Sequence, residues 1–358
     1  VKQGVFVYLM DMRSLIRFEN HPAMKPPVHR LRIIFCSVCA FSVPLLGACA
    51  DEAVPVGEGA VPVGEGAVPA GEQAVPTDAA TVQARLAKRT AAMNDPNLAH
   101  LFAGKPQSIR ISEAEARLPK AIQEPFDLSE SDLAERSAQN SAWAQGVLAS
   151  VSSRPADLFT RDWWRKHGGT DWTTDGYFIT GSPESWWKST SWDKISRALA
   201  MPQNSKPFTY VYDKNLVFRN DIIFVNGDPI SSYEDFVESA RIMAKSTEWK
   251  RSQGTLWTPL GTFALSTCLK TKSAPHAIQL VMDNLGNING VYANWVTGSV
   301  QPIQGKVHRD TQRVAFQLGR DGKIVVEAGL ANLTADVLRV WAHLPNQHSQ
   351  TWLLVRMK

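Results

Sequence analysis

The last hundred residues constrain the fold more than any other feature. Eight short β-forming runs follow one another, near Trp257–Leu265, His276–Met282, Ile288–Asn294, Val300–Lys306, Arg313–Leu318, Lys323–Ala328, Val337–Ala342 and Gln350–Arg356. Side chains alternate between two faces along a strand. The alternation is visible here: Val314, Phe316 and Leu318 oppose Arg313, Ala315 and Gln317, and Ile278, Leu280 and Met282 oppose Ala277, Gln279 and Val281. Asp283-Asn284-Leu285-Gly286-Asn287, Arg309-Asp310 and Asp321-Gly322 supply hairpin turns, and Gly261, Gly290, Gly305 and Gly329 sit where a closing sheet must bend. Such a meander removes its edges by closing into an up-and-down barrel, the expectation for 255–358, with a β-sandwich as the alternative. A membrane barrel is disfavoured, because spanning strands need about 9–11 residues and an apolar outer band, whereas these runs read shorter and turn Arg, Gln and Glu outward.

Upstream, residues 151–250 read as a small Trp-rich α+β unit, so the fold class is α+β, mainly β. Trp163, Trp164, Trp172, Trp186, Trp187 and Trp192 fall within thirty residues, interleaved with Tyr177 and Phe178. Two readings stand side by side: Trp163, Trp164, Trp186 and Trp187 as aromatic contacts for a ligand or partner, or tryptophans as the small core of a segment poor in aliphatic residues. Asn215–Phe218 and Ile222–Val225 are β-rich runs joined across Arg219-Asn220-Asp221, and Asn226-Gly227-Asp228-Pro229 is a turn. Ser231-Ser232-Tyr233-Glu234 supplies a capping box. Tyr233, Phe236, Val237, Ala240 and Met243 follow at helical spacing, predicting an amphipathic helix over that hairpin.

Residues 78–150 read as partly helical and partly disordered, with helices around Thr81–Met93 and Ser129–Leu148, the second carrying a thin stripe of Ala134, Ala138, Ala142 and Leu148. Little order is expected before Asp127. Asn94-Asp95-Pro96 lacks the acidic neighbours of a calcium site and reads as a turn.

Residues 49–77 are a low-complexity linker. Ala-Val-Pro-Val-Gly-Glu-Gly begins at Ala53, repeats from Ala60 and degenerates from Ala67. Proline in every copy rules out a coiled coil, and the Gly and Pro content rules out a packed core. Residues 24–48 read as a lipoprotein signal peptide: a basic start, an apolar run of 14 residues from Ile33 to Leu46, then Leu46-Gly47-Ala48-Cys49. That ending resembles the bacterial lipobox, which makes Cys49 the expected lipidation site. Ala50 after it, in place of Asp, favours the outer membrane. Residues 1–23 carry no recognisable signal and are read as untranslated or unstructured. Cleavage before Cys49 leaves only Cys49 and Cys268 of the four cysteines, so acylation of Cys49 leaves Cys268 without an intramolecular partner. An exported, lipid-anchored envelope or cell-surface location is the expectation.

Charge and motifs narrow the function classes. Residues 1–48 hold six Lys or Arg against two Asp or Glu, which leaves 32 of each from totals of 38 and 34. A formally neutral remainder without basic clusters argues against nucleic acid. No nucleophile elbow, phosphate loop or metal-binding His pair is present. His276, His308, His343 and His348 show no metal spacing, so no metal, cofactor or catalytic residue is expected.

Asn215–Phe218 through Phe224-Val225-Asn226-Gly227, Trp257–Leu265, Thr311–Phe316 and Gln350–Arg356 together resemble the planctomycete-type mu-protocadherin cell-surface protein family. The resemblance covers a little over half the chain; it implies a surface location and supplies no reaction. The barrel segment is also similar to avidin in strand count and in its closing Trp-Leu-Leu strand, without avidin's biotin contacts. The expected function is thus a non-catalytic interaction or structural module binding an envelope polysaccharide or protein, with a small-ligand carrier using the barrel cavity as the alternative. The two differ in the barrel interior: Leu, Ile, Phe and Trp throughout make a core, whereas a cavity with convergent polar groups makes a carrier.

Overall fold

The computed structural model describes residues 79–124, 126, 130–167, 186–246, 256–268, 274–345 and 349–357. In chain order, α1 (Ala79–Met93), a 3-10 turn (Pro96–Phe102), α2 (Gln107–Ala121), α3 (Glu130–Val151), α4 (Arg161–His167) and α5 (Trp192–Ala198) come first. A three-stranded sheet follows, β1 (Leu216–Arg219), β2 (Ile222–Val225) and β3 (Asp228–Ser232), then α6 (Tyr233–Lys245). The remaining strands are β4 (Thr258–Ser266), β5 (His276–Met282), β6 (Asn287–Asn294), β7 (Ser299–His308), β8 (Arg313–Leu318), β9 (Ile324–Gly329), β10 (Val337–His343) and β11 (Gln350–Arg356). All described residues belong to one unit, Leu46–Lys358.

β4 to β11 close into an eight-stranded antiparallel barrel, sealed where β11 pairs β4 with Leu354 opposite Leu265. The expected barrel, rather than a sandwich, is what forms. Closure demands close backbone approaches, and glycine permits them. A Cβ on Gly290 would lie 2.0 Å from the Gln279 carbonyl oxygen across the β5–β6 pair, so any side chain there would push the strands apart. Gly261, at φ +132°, sits at the register shift between β4 and β5. The parity read from the sequence holds. Ile278, Leu280, Met282, Val314, Phe316 and Leu318 point inward and join Phe263, Val326, Val340, Trp352 and Leu354 in one apolar cluster.

Much of the outward parity does not face water. Every residue of β5 and of β8 is buried, because helices coat the outer wall. Ala264, Ala277, Val281, Val291, Ala293, Leu353 and Val355 pack against Val147 and Val151 of α3 and Trp163 and Trp164 of α4. Ala315 and Val325 receive Ala240, Met243 and Ala244 of α6. β4 and β7 reach nine and ten residues, so strand length alone does not argue against a membrane barrel; the protein coat over this wall does.

Several local expectations hold and others shift. Asn220 and Asp221 (φ 50° and 60°) and Asn226 and Gly227 (φ 51° and 86°) form two-residue turns of the left-handed kind that suit hairpins. Ser232 caps α6, its hydroxyl accepting from the Asp235 amide at 3.1 Å. α6 was expected over the hairpin; its small residues instead seat on the barrel, while Phe236 joins Ile223, Val225 and Trp341. Pro229, expected in the turn, lies inside β3 instead, as the outer strand of its sheet allows. α2 was not expected at all. Its buried Ile111, Ala114, Leu118 and Ala121 recur at helical spacing and dock on β1–β3 through Leu216 and Ile230. α3 buries Ala144, Val147 and Val151, and Leu148 of the expected stripe is 44% exposed. The turn at Asp95 is present, its carboxylate accepting from the Asn97 amide at 2.8 Å.

Candidate functional site

Trp163, Trp164 and Trp186 are core. Trp163, Trp164 and Trp186 are 5%, 1% and 1% exposed, so the ligand-contact reading fails for them, and Trp187 is half-buried. Edge-to-face packing joins Trp163 to Phe159 at 5.0 Å and to Trp164 at 5.5 Å. Polar bonds fix the cluster to the barrel wall: Trp164 Nε1 donates to Gln279 Oε1 at 2.9 Å, and Gln279 Nε2 donates to Thr262 Oγ1 at 2.9 Å. Outward Gln279 is therefore a clamp for the aromatic layer. Trp172, Tyr177 and Phe178 lie outside the described residues, as do Cys49, the 49–77 linker and the segment read as a signal peptide.

Cys268 is disulfide-bonded, with a partner outside the described residues. The expectation of a Cys268 without an intramolecular partner applied to a chain cleaved before Cys49 and acylated there.

The barrel interior is filled. Leu265, Ile278, Leu280, Phe316, Val340, Trp352 and Leu354 are each no more than 1% exposed. Ile195 of α5 and its C-cap residue Leu199 join the same cluster and close the end that holds the β5–β6 turn, where Leu199 approaches Gly286. Arg356 supports that end from within, donating to the carbonyls of Leu260 at 3.1 Å and Leu333 at 2.7 Å, with Phe263 4.5 Å beneath its guanidinium. At the opposite end Tyr292 Oη and His276 Nδ1 lie 2.7 Å apart. Burial pushes the His276 imidazole down to about 4 and the Tyr292 phenol up to about 12, so both are neutral at pH 7. Two clefts, about 430 and 230 Å³, run where α3 meets the barrel, the first between Val151 and Val355, the second between Asn140 and Tyr212.

The most chemically organised group lies on the outer wall at β8, β9 and β10, beneath α6. Arg313 Nε donates to Glu327 Oε1 at 2.7 Å, and His343 Nε2 lies 3.0 Å from Glu327 Oε2. His343 Nδ1 is 2.6 Å from Ser349 Oγ, which is 2.6 Å from Tyr233 Oη at the start of α6. The Ser349 amide donates to that same phenol oxygen. One assignment of protons satisfies every contact: Tyr233 donates to Ser349 Oγ, Ser349 donates to His343 Nδ1, and the Nε2–H of neutral His343 donates to Glu327.

Burial raises the Glu327 carboxyl, but the Arg313 charge and the hydrogen bonds from His343 and Arg313 outweigh it and hold the group below its usual range. Arg313 is itself held by Ser239 Oγ at 2.7 Å and by the Phe236 ring at 3.8 Å. Buried charges in such a network need every partner, and this one ends at Ser349, which is half-buried.

His343 stands out in the sequence, but no partner for it does. Glu327, His343 and Ser349 come from β9, from β10 and from the residue before β11, so no local motif joins them. The available signal was parity: Arg313, Glu327 and His343 all occupy the outward positions of strands whose other residues are largely apolar.

Among the described residues no cluster of His, Cys, Asp and Glu could hold a metal ion, and no helix is long and apolar enough to cross a membrane. No protein-family model matches the chain, and neither does any curated protein or solved structure.

Proposed function

We propose that the chain is an exported cell-envelope protein in which the filled barrel is a structural hub and its helical coat offers the surface for an envelope polysaccharide or protein. The observation that carries this reading is the disulfide on Cys268, because disulfides persist in oxidising compartments and are rare in reducing ones. The basic and apolar segment at 24–48 supplies a route to such a compartment. The filled interior counts against the carrier alternative, since a carrier needs a cavity lined by convergent polar groups.

The lipid anchor at Cys49 is the finer proposal, and it rests on Leu46-Gly47-Ala48-Cys49. It competes with the disulfide. A mature chain beginning at Cys49 contains two cysteines, and one molecule cannot both acylate Cys49 and pair it with Cys268. Intact-mass analysis of the full chain from fractionated bacterial cells decides the matter. The expected product is in the envelope and starts at Cys49; an uncleaved chain in the cytoplasm overturns export. Within the exported product, an acyl mass with a reducible-free Cys268 thiol favours the anchor, whereas a Cys49–Cys268 cystine removes it.

A further inference from the structure

We propose that Ser349 is the nucleophile of an acyl-transfer site, with His343 as its base, acting on esters that carry an apolar acyl group. This goes beyond the envelope reading and does not depend on it.

The geometry supplies the parts a serine nucleophile needs. A hydroxyl is a weak nucleophile until a neighbouring base takes its proton, and the base works best when a third group orients it. Ser349 Oγ lies 2.6 Å from His343 Nδ1, and the opposite ring nitrogen is 3.0 Å from Glu327 Oε2. The ring is turned relative to the familiar serine hydrolase arrangement, with Nδ1 toward the hydroxyl and Nε2 toward the acid. Either nitrogen can accept a proton while the other donates to a carboxylate. Arg313 keeps Glu327 ionised, so a carboxylate stands ready to stabilise the imidazolium that forms. Glu327 is a positioning residue, and so is Tyr233, whose phenol holds Ser349 through both Oγ and the backbone amide.

A network serving only to glue α6 to the barrel would end on buried groups. This one ends at Ser349, a half-buried residue, beside an aromatic flank: Phe218 is 39% exposed, and its ring packs 4.6 Å from that of Tyr233. That flank is why the substrate class is an ester with an apolar acyl group.

The step balances without an added cofactor. Ser349 Oγ bonds to the ester carbonyl carbon as its proton passes to His343 Nδ1. The carbon–oxygen bond to the alcohol breaks, and the departing alkoxide takes that proton. Water then adds to the acyl-serine carbonyl, giving a proton to His343, and the Ser349 oxygen recovers it as the carboxylic acid leaves.

The test uses the purified full chain, a fluorophosphonate probe with peptide mass spectrometry, and hydrolysis of p-nitrophenyl butyrate. Ser349→Ala is compared with wild type, and Ser153→Ala serves as a surface control. The expected result is one adduct, on Ser349, together with hydrolysis that falls about 10²- to 10⁴-fold in Ser349→Ala and is unchanged in Ser153→Ala. Melting temperatures are measured in parallel. An unlabelled Ser349, or equal hydrolysis by wild type and a folded Ser349→Ala, overturns the proposal. If Ser349→Ala unfolds, Ser349→Thr and the site of the wild-type adduct decide it.

Discussion

At the scale of single residues, the polar groups that matter are those the fold deprives of water. His276 is buried at one end of the barrel beside Tyr292, and burial lowers its imidazole to about 4 from 6.5. Between these values an unfolded chain binds a proton that the folded chain does not. Stability therefore falls as pH drops from 6.5 toward 4, by up to about 3 kcal/mol from this group. His276→Gln should flatten that part of the pH profile, read as urea midpoints. Parallel profiles for the two proteins would mean that the imidazole is solvated in the fold. Arg313 and Glu327 illustrate the same rule with a different solution: both are buried, and each is compensated by the other. Their parity was readable in the sequence. Their partners were not, because Phe236 and Ser239, which hold Arg313, arrive from a helix more than seventy positions away.

At the scale of elements, local chemistry set identity and packing set placement. Ser232 announces the start of α6, and the recurrence of Phe236, Ala240 and Met243 announces a helix; neither says which surface the helix covers. Small Ala240 and Ala244 meeting Ala315 allow the close approach to the barrel, a match that exists only once β8 is in place. α5 shows the converse. Its seven residues are too few to be stable as an isolated helix, yet Ile195 and the C-cap residue Leu199 are fully buried in the barrel end. Leu199→Ala should cost about 2–5 kcal/mol through lost burial and the cavity left behind, measured by chemical denaturation. A change below about 0.5 kcal/mol, the range of an ordinary surface substitution, would show that α5 does not seal the barrel.

At the scale of the whole molecule, the barrel and its coat share one hydrophobic interior. The outer wall offers Ala264, Val281, Val291, Leu353 and Val355 to the helices, and an apolar surface of that kind left bare drives association. Residues 256–357 expressed alone should self-associate in size-exclusion chromatography, while 79–358 should elute as a single species. A monodisperse, folded 256–357 fragment would show that the coat is dispensable. The segment read as a separate Trp-rich unit is for this reason part of the barrel's own packing, as the Trp164–Gln279 bond records.

The amino-acid pattern alone dictates the eight strands, their inward parity and their hairpin turns, because period-two alternation and turn chemistry act between near neighbours. It also determined the helix behind Ser232. The assembled tertiary structure alone settles that most of both faces of the barrel wall is buried, that Trp163, Trp164 and Trp186 are core, that α2 packs on the small sheet and that Glu327, His343 and Ser349 meet. These depend on which surfaces come together across distant parts of the chain, and burial, the quantity that decides whether a tryptophan binds or packs, has no value until they do.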